Sequence, residues 1–363
     1  MVGYDLYLNR HRVDEKQETP ILTPPSIFSF GRRSCYFCLY IYSLNILKVY
    51  QAIESHLRQF PSKGNKFPNF DSKKKPILAR GSAGPLEGEL YSAENFHGQY
   101  AFSLQPHIYE PSAHGAYRDG LGDITSRHPE ISIGDQSDVH PYLEVTNRSG
   151  VDVALDILRL RPPRSVTYIA LGPLTNLALM MRKDSKLVIE RIGRIVCMGG
   201  ALDVPGNCTP MAECMLIFFH CTFFKDSQGY LVNFYADPYA VKELLISTPL
   251  HQGLPLDRFL LVPLDITTPH ELPFPEYKRD VDPAFYNSSL PSIPLNKSPL
   301  THFTSSFLER TRETMLEYGK DALELHDIVA VWCAIENPPH HDAPPMSLAP
   351  DWKGCKRIFD IER

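Results

Sequence analysis

Residues 166–181 read VTYIALGPLTNLALMM. The first six are mainly β-branched or apolar and predict a buried strand, Val166–Leu171. Gly172 and Pro173 end that strand, because proline lacks a backbone donor and restricts the residue before it. Leu174–Met181 then has the composition of a helix start. The stretch therefore predicts strand, tight turn and helix, the repeating unit of a sheet covered by helices.

The same alternation continues on both sides of this stretch. Further strands are predicted at 76–79, 192–198 and 259–264, and helices at 41–57, 151–160, 237–245, 305–318 and 325–335. We expect an α/β fold with a mostly parallel central sheet flanked by helices, open and Rossmann-like. Ligands bind such folds outside the carboxyl ends of the strands. A strand-end pocket is therefore expected around 171–175, 198–207 and 265–268.

Composition restricts the class of protein. The chain has 363 residues and a formal net charge of −5, so no basic excess favours nucleic acid or an anionic membrane surface. Its two apolar stretches, 35–47 and 215–224, are shorter than the roughly 20 residues of a membrane span. The first twenty residues contain no apolar signal region. We expect a cytoplasmic protein that binds neither nucleic acid nor membrane.

Six short motifs follow one another along the chain. They are Asp119–Gly122, Ala170–Ala178, Met198–Glu213, Asn233–Pro238, Pro263–Thr267 and Leu325–Asp327. In this order they resemble the inosine-uridine preferring nucleoside hydrolase family, and their wording is most similar to fungal members. The resemblance implies an enzyme that hydrolyses the N-glycosidic bond of purine or pyrimidine ribonucleosides to ribose and free base.

The resemblance also implies a cofactor, Ca²⁺, which prefers oxygen ligands and activates the attacking water. Asp327 matches the family's carboxyl-terminal calcium-binding aspartate. Leu171 matches the position that gives the metal a backbone carbonyl, so its side chain is immaterial to that role.

The other matched residues are implied to contact the substrate. Those expected to hold or line the ribose are Met198, Asn207, Glu213, Asn233 and Asn45. An asparagine suits a hydroxyl because its amide both donates and accepts. His326 and His97 are expected beside the departing base, with His326 as general acid, since the pKa of histidine lies near neutrality. His114 remains an alternative to His97.

Taken singly, these residues also have ordinary structural explanations. His326 next to Asp327 is common at a helix terminus, and Asn207 after a Pro-Gly pair is ordinary turn chemistry. Asn233 alone suits a cap or a turn, and Glu213 alone suits a surface. Only the order of the six motifs along the chain favours functional roles for these residues over the structural explanations.

The chain departs from the family pattern in three places. The family begins with a strand that ends in an Asp-x-Asp-x-Gly-x-Asp-Asp run, which is missing here, so residues 1–40 are an atypical N-terminus. Residues 41–363 are expected to form a single domain with insertions near 99–118 and 214–232, which resemble translated intron sequence. Without the aspartate run, one carboxylate and one carbonyl hold Ca²⁺ poorly, because affinity follows the charge and number of ligands.

Two other functions stay open at this point. The first is a nucleoside hydrolase-like protein that binds its ligand without catalysis. The second is a metal phosphohydrolase built on His326 and Asp327, which would need further metal ligands, and His11, His56 and His128 lie in no helical setting that supplies them. The resemblance also allows a homo-oligomer, since members of the family are often dimeric or tetrameric.

Overall fold

The computed structural model describes residues 2–8, 27–30, 36–88, 121, 124–131, 139–204, 206, 233–248, 252–339, 344 and 346–358. Its strands are β1 Val2–Leu8, β2 Ile27–Phe30, β3 Ile77–Arg80, β4 Val139–His140, β5 Leu143–Ser149, β6 Val166–Ala170, β7 Ile192–Met198, β8 Phe259–Val262, β9 Glu271–Pro273, β10 Ala322–Glu324 and β11 Trp352–Ile358. Its α-helices are α1 Tyr36–Gln59, α2 Ile124–Arg127, α3 Gly150–Arg159, α4 Thr175–Arg191, α5 Pro238–Leu245, α6 Leu264–Thr267, α7 Phe274–Asp280, α8 Pro299–Glu317 and α9 His326–Glu336. Short 3₁₀ turns cover Pro61–Lys66, Pro129–Ile131 and Leu256–Arg258.

The larger sheet has five strands in the order β11-β1-β8-β7-β6. Strands β1, β8, β7 and β6 run parallel to their neighbours, and β11 pairs antiparallel with β1. Every residue of β7 is buried, as expected of a strand covered on both faces. The carboxyl ends of β6, β7 and β8 consequently lie along one edge of this sheet.

The remaining strands form a four-stranded sheet and a two-stranded ribbon. In the four-stranded sheet β2, β3 and β5 are parallel, and β4 turns back antiparallel to β5. The ribbon pairs β9 with β10 antiparallel, which brings the segment before α9 next to the segment after β8. With helices packed around mainly parallel strands, the predicted α/β fold is confirmed.

The main core lies between β6, β7 and β8 and the helices α3, α4 and α5. It includes Leu155, Leu177, Val188 and Leu244, each of which is almost fully buried. Burial of an aliphatic side chain of this size contributes about 1.5–3 kcal/mol, so this cluster fixes the position of the strand ends.

Two glycines are required by the geometry around β7. A Cβ on Gly193 would lie 2.0 Å from the carbonyl oxygen of Arg164, so only glycine allows this close approach. Gly200 has a φ of +80°, a left-handed conformation that glycine adopts without strain. Its carbonyl accepts a hydrogen bond from the backbone N–H of Leu264 at 2.9 Å, which ties the turn after β7 to the segment after β8.

Most predicted elements occur, with shifted ends. Helix α8 begins at Pro299 because the side chain of Ser298 accepts the backbone N–H of Thr301 at 3.1 Å. Strand β8 ends before Pro263, which lacks a donor for the ladder. Across the described ranges, no helix is both long and apolar enough to cross a membrane.

Candidate functional site

The candidate site lies at the carboxyl ends of β6, β7 and β8. Met198 is the last residue of β7, and Leu171 directly follows β6. Strands β6 and β7 are paired up to Ala170 and Cys197, so these two ends are neighbours. The structure thus brings two residues predicted from separate motifs to one edge of the sheet.

Asn233 is joined directly to the end of β7. Its Nδ2 donates to the carbonyl oxygen of Met198 at 3.0 Å and also lies 3.3 Å from the Met198 sulfur. Asn233 is 9% exposed and Met198 is 1% exposed, so both are held inside the protein. With both amide N–H groups directed at Met198, the oxygen of the Asn233 amide is the atom that remains to accept a hydrogen bond from a ligand.

Asp265 joins the loop after β7 to the segment after β8. Its two carboxylate oxygens accept the backbone N–H groups of Leu202 at 2.9 Å and Asp203 at 2.6 Å. Charge-assisted hydrogen bonds of this kind are roughly twice as strong as neutral ones, so they restrain the loop that follows Met198.

His326 opens α9 and has polar partners at both ring nitrogens. Its Nδ1 lies 2.8 Å from the Thr267 hydroxyl and its Nε2 lies 2.9 Å from a Glu324 carboxylate oxygen. The hydrogen bond with His326, with help from Lys320, lowers the pKa of Glu324 to about 2. Glu324 is therefore an anion at neutral pH and fixes the orientation of the imidazole.

Asp327 follows His326 in the first turn of α9. The protein atoms around its carboxyl group raise the pKa to about 6, and the neighbouring His326 opposes that rise. The residue nevertheless keeps more than a third of its surface exposed. Within the part of the chain that the structure describes, Asp327 belongs to no group of three His, Cys, Asp or Glu side chains close enough to share a metal ion.

Asp237, in the motif that begins at Asn233, has a structural role. It is fully buried and caps α5 by accepting the backbone N–H of Ala240 at 3.0 Å. Its second oxygen accepts the Thr175 hydroxyl at 2.5 Å and the backbone N–H of Leu86 at 2.8 Å. One carboxylate thus joins three segments. These contacts account for Asp237 and Thr175 in their motifs without any bound ligand.

Of the other predicted site residues, the structure describes only Asn45. Asn45 lies on α1, where its side-chain oxygen accepts Lys48 at 3.4 Å, and α1 packs against α8. His97, Asn207 and Glu213 lie outside the described residues, as do the proposed insertions 99–118 and 214–232. Their roles stay predictions.

A separate group of possible metal ligands does not include Asp327. His128, Glu130 and His302 each place one ligand atom within 4.8 Å of the others. No sequence pattern predicted His128 in such a setting, because its partner His302 is remote in the chain. The possible metal ligands that the structure brings together are thus two histidines and a glutamate.

Sequence reasoning missed two residues that support His326. Thr267 closes the Pro263–Thr267 motif, and that motif was the available signal. Glu324 carried no signal, because a glutamate before a helix is common and its contact depends on the β9–β10 ribbon.

Comparisons with known proteins agree with the motifs. Residues 68–217 match the family model described as inosine-uridine preferring nucleoside hydrolase. An uncharacterised protein of Schizosaccharomyces pombe is 37% identical over 122 residues, which are 34% of this chain and 30% of that protein. A probable uridine nucleosidase 2 of Oryza sativa subsp. japonica is 32% identical over 136 residues, 38% of this chain and 31% of the relative. The chain therefore spans about a third of the length of these curated relatives.

Two further comparisons cover more of the chain. A pyrimidine-specific ribonucleoside hydrolase of Salmonella arizonae is 29% identical over 190 residues, 52% of this chain and 42% of the relative. A solved plant nucleoside hydrolase structure is 21% identical, with a TM-score of 0.46, and the match covers 73% of this chain and 61% of the other.

Proposed function

We propose that the chain, whose residues 68–217 match the inosine-uridine preferring nucleoside hydrolase family model, takes a ribonucleoside at the carboxyl ends of β6, β7 and β8. The proposed reaction is hydrolysis of the N-glycosidic bond to ribose and free base. The observation that carries the proposal is the Asn233–Met198 pair, which lies at the end of β7 with its amide oxygen left for a ligand.

In the proposed complex, Asn233 holds the sugar. Its amide is oriented by Met198, so its oxygen accepts a ribose hydroxyl without first having to be ordered. A ribosyl group develops oxocarbenium character as the bond to the base breaks, and hydrogen bonds to the hydroxyls restrain the ring while it flattens. Asn207 and Glu213 are proposed to hold the remaining ribose hydroxyls, and Asn45 is proposed to lie near the sugar.

His326 is proposed to act on the leaving base, with His97 beside it. Both ring nitrogens of His326 have partners, Thr267 and Glu324, so a proton reaches the base only when the base replaces one of them. Glu324 is the more accessible partner, since its side chain is 20% exposed whereas Thr267 is fully buried. We therefore infer that the base takes the place of Glu324 at Nε2.

The calcium implied by the family does not fit the described residues. Ca²⁺ takes about six to eight oxygen ligands. Asp327 offers one carboxylate, and the carbonyl of Leu171 is a second candidate ligand. No other Asp or Glu forms a metal-binding group with Asp327 among the ranges described. This incomplete oxygen set favours a second candidate function, a protein that binds ribonucleosides without hydrolysing them.

One experiment separates the two candidates. The full chain is assayed for ribose release from uridine and from inosine, with added Ca²⁺ and with a chelator, and nucleoside binding is measured by calorimetry. Asn233→Ala is expected to weaken binding or kcat/KM about tenfold to a hundredfold, the loss of one well-placed hydrogen bond. Asn287→Ala, in an exposed turn, is the matched control and leaves both unchanged.

The outcomes divide clearly. Ribose release that falls in Asn233→Ala supports the hydrolase, and binding without release supports the second candidate. Absence of both binding and release in the folded wild-type chain overturns the site.

Three wider features are also proposed. We propose that the protein works in the cytoplasm as a homo-oligomer and has no nucleic-acid partner or membrane partner, in line with its net charge of −5. The single domain at 41–363 and the atypical residues 1–40 remain predictions, and gel filtration with light scattering measures the oligomeric state.

A further inference from the structure

Three potential metal ligands meet where two distant segments pack together. His128 follows α2, Glu130 lies in the 3₁₀ turn Pro129–Ile131, and His302 lies in the first turn of α8. Glu130 Oε1 is 2.8 Å from His302 Nε2 and 3.4 Å from His128 Nδ1. The two imidazoles are buried, whereas the Glu130 side chain is 44% exposed, so the group faces outward on one side.

These separations suit a small tetrahedral cation. Zinc binds histidine nitrogen and carboxylate oxygen at about 2.0–2.2 Å, which places neighbouring ligand atoms of a tetrahedral site about 3.3–3.6 Å apart. The distance from Glu130 to His128 lies in that range, and the distance from Glu130 to His302 is about half an ångström shorter. Shifts of a few tenths of an ångström in the partly exposed Glu130 side chain would therefore admit the ion.

The opposite ring nitrogens of both histidines have polar partners. His128 Nε2 lies 3.0 Å from a carboxylate oxygen of Glu309, and His302 Nδ1 lies 3.1 Å from the Ser292 hydroxyl. Histidines that bind metals use the second nitrogen in this way, which fixes the tautomer and turns the other nitrogen towards the ion. The partners are themselves held, since Glu309 accepts the backbone N–H of Ser292 and pairs with Arg127.

The nearby charges do not oppose a cation. Arg127 is neutralised by Glu309, and Lys297, which donates to Ser292, is paired with Asp282 at 2.6 Å. Glu130 is the carboxylate left to face the site, and 44% of its side chain is exposed.

We propose that His128, Glu130 and His302 form a binding site for a divalent transition-metal ion of the zinc type, with water in the fourth position. Two nitrogens and one carboxylate oxygen favour zinc over Ca²⁺, which requires more oxygen ligands. The ion would join the 128–130 segment to α8, and the inference does not depend on nucleoside hydrolysis.

The test uses the full chain after removal of metal with a chelator. Zn²⁺ is titrated in competition with a chromophoric chelator, and we expect one ion bound at this site with a submicromolar Kd. His302→Ala is expected to raise the Kd at least a hundredfold and Glu130→Gln at least tenfold. Glu276→Gln, on an exposed part of α7, is the matched control and leaves the Kd unchanged. Loss of the outer partner in Ser292→Ala is expected to raise the Kd about tenfold.

Two measurements keep the result clear. Thermal unfolding shows whether each variant is folded, and if His302→Ala is not, the partly exposed Glu130→Gln decides. Because the chain has eight cysteines, Co²⁺ replaces Zn²⁺ in a second titration. Visible bands without an intense thiolate charge-transfer band support nitrogen and oxygen ligands. Thiolate bands alone, no binding, or binding that is equal in wild type and Glu130→Gln overturns the proposal.

Discussion

Replacement of Asp237 by alanine tests whether one buried carboxylate stabilises the three segments that it joins next to the candidate site. Its two oxygens accept three hydrogen bonds, from Ala240 at 3.0 Å, Thr175 at 2.5 Å and Leu86 at 2.8 Å. Alanine removes the α5 cap, which costs about 0.5–2 kcal/mol. It also leaves two donors without an acceptor, at about 1–3 kcal/mol each.

Alanine also removes the cost of burying the Asp237 charge, which offsets part of these losses. We therefore expect a net loss of about 3–5 kcal/mol in the free energy of unfolding. That is a large share of the roughly 5–15 kcal/mol that stabilises a typical domain. Asp237→Asn keeps the size of the side chain and one acceptor oxygen, so we expect it to lose about half as much stability as Asp237→Ala. Both effects are measured by equilibrium urea unfolding.

Asp257→Ala is the control for this prediction. Asp257 lies in the 3₁₀ turn before β8 with its side chain 53% exposed, so its replacement changes stability by less than about 0.5 kcal/mol. A loss of less than about 1 kcal/mol in the free energy of unfolding of Asp237→Ala, or a loss no larger than that of Asp257→Ala, would refute this structural role. The three hydrogen bonds would then not stabilise the segments that they join.

Three further predictions concern single contacts. Because His326 and Lys320 lower the pKa of Glu324 from 4.5 to about 2, the stability it provides is full above about pH 4.5 and is lost as the pH falls towards 2. As the pH falls, the free energy of unfolding of Glu324→Gln should therefore decrease by up to about 3 kcal/mol less than that of the wild type. An equal decrease in both proteins would contradict this prediction. Leu177→Ala leaves a cavity in the main core and should cost about 2–5 kcal/mol by urea unfolding, whereas Leu160→Ala, 83% exposed, should cost little. Ser298→Ala removes the α8 cap and should cost about 1 kcal/mol, and an unchanged unfolding midpoint would argue against the cap.

Sequence patterns predicted the elements whose burial is simple. Strand β7 was predicted with its observed bounds, because five of its seven residues are apolar, as expected of a strand covered on both faces. Helix α4 was predicted only to Met181, although it continues to Arg191 with a break in helical geometry at Asp184. Several residues after Met181 are polar, so apolar periodicity does not predict this continuation of the helix.

Strand β1 could not be predicted in the same way. Val2, Tyr4, Leu6 and Leu8 alternate over these seven residues, but Gly3 and Asp5 both disfavour a strand, so the signal is less decisive than a long apolar run. Its place depends on the partners it finds, β8 on one side and β11 on the other.

The contacts of the candidate sites are also partly beyond sequence reasoning. Motif order led to the prediction of Met198, Asn233 and His326 as site residues, but the partners of these side chains depend on how the strands pair. In the His128–Glu130–His302 group, 172 positions separate Glu130 from His302. No local pattern spans such a distance, and only the packing of α8 brings the side chains together.

The position of β1 has a consequence for the order in which the chain folds. Its partner β11 lies more than 340 positions away, so this ladder cannot form until nearly the whole chain is available. Contacts of such long range are slow to form, because the entropy of closing the loop is lost before the contact stabilises anything. Until then β8 has an unpaired edge, and a free strand edge invites pairing with another chain. Slow refolding with aggregation at high protein concentration is therefore the expected behaviour, and the insertion of β1 would be its last step.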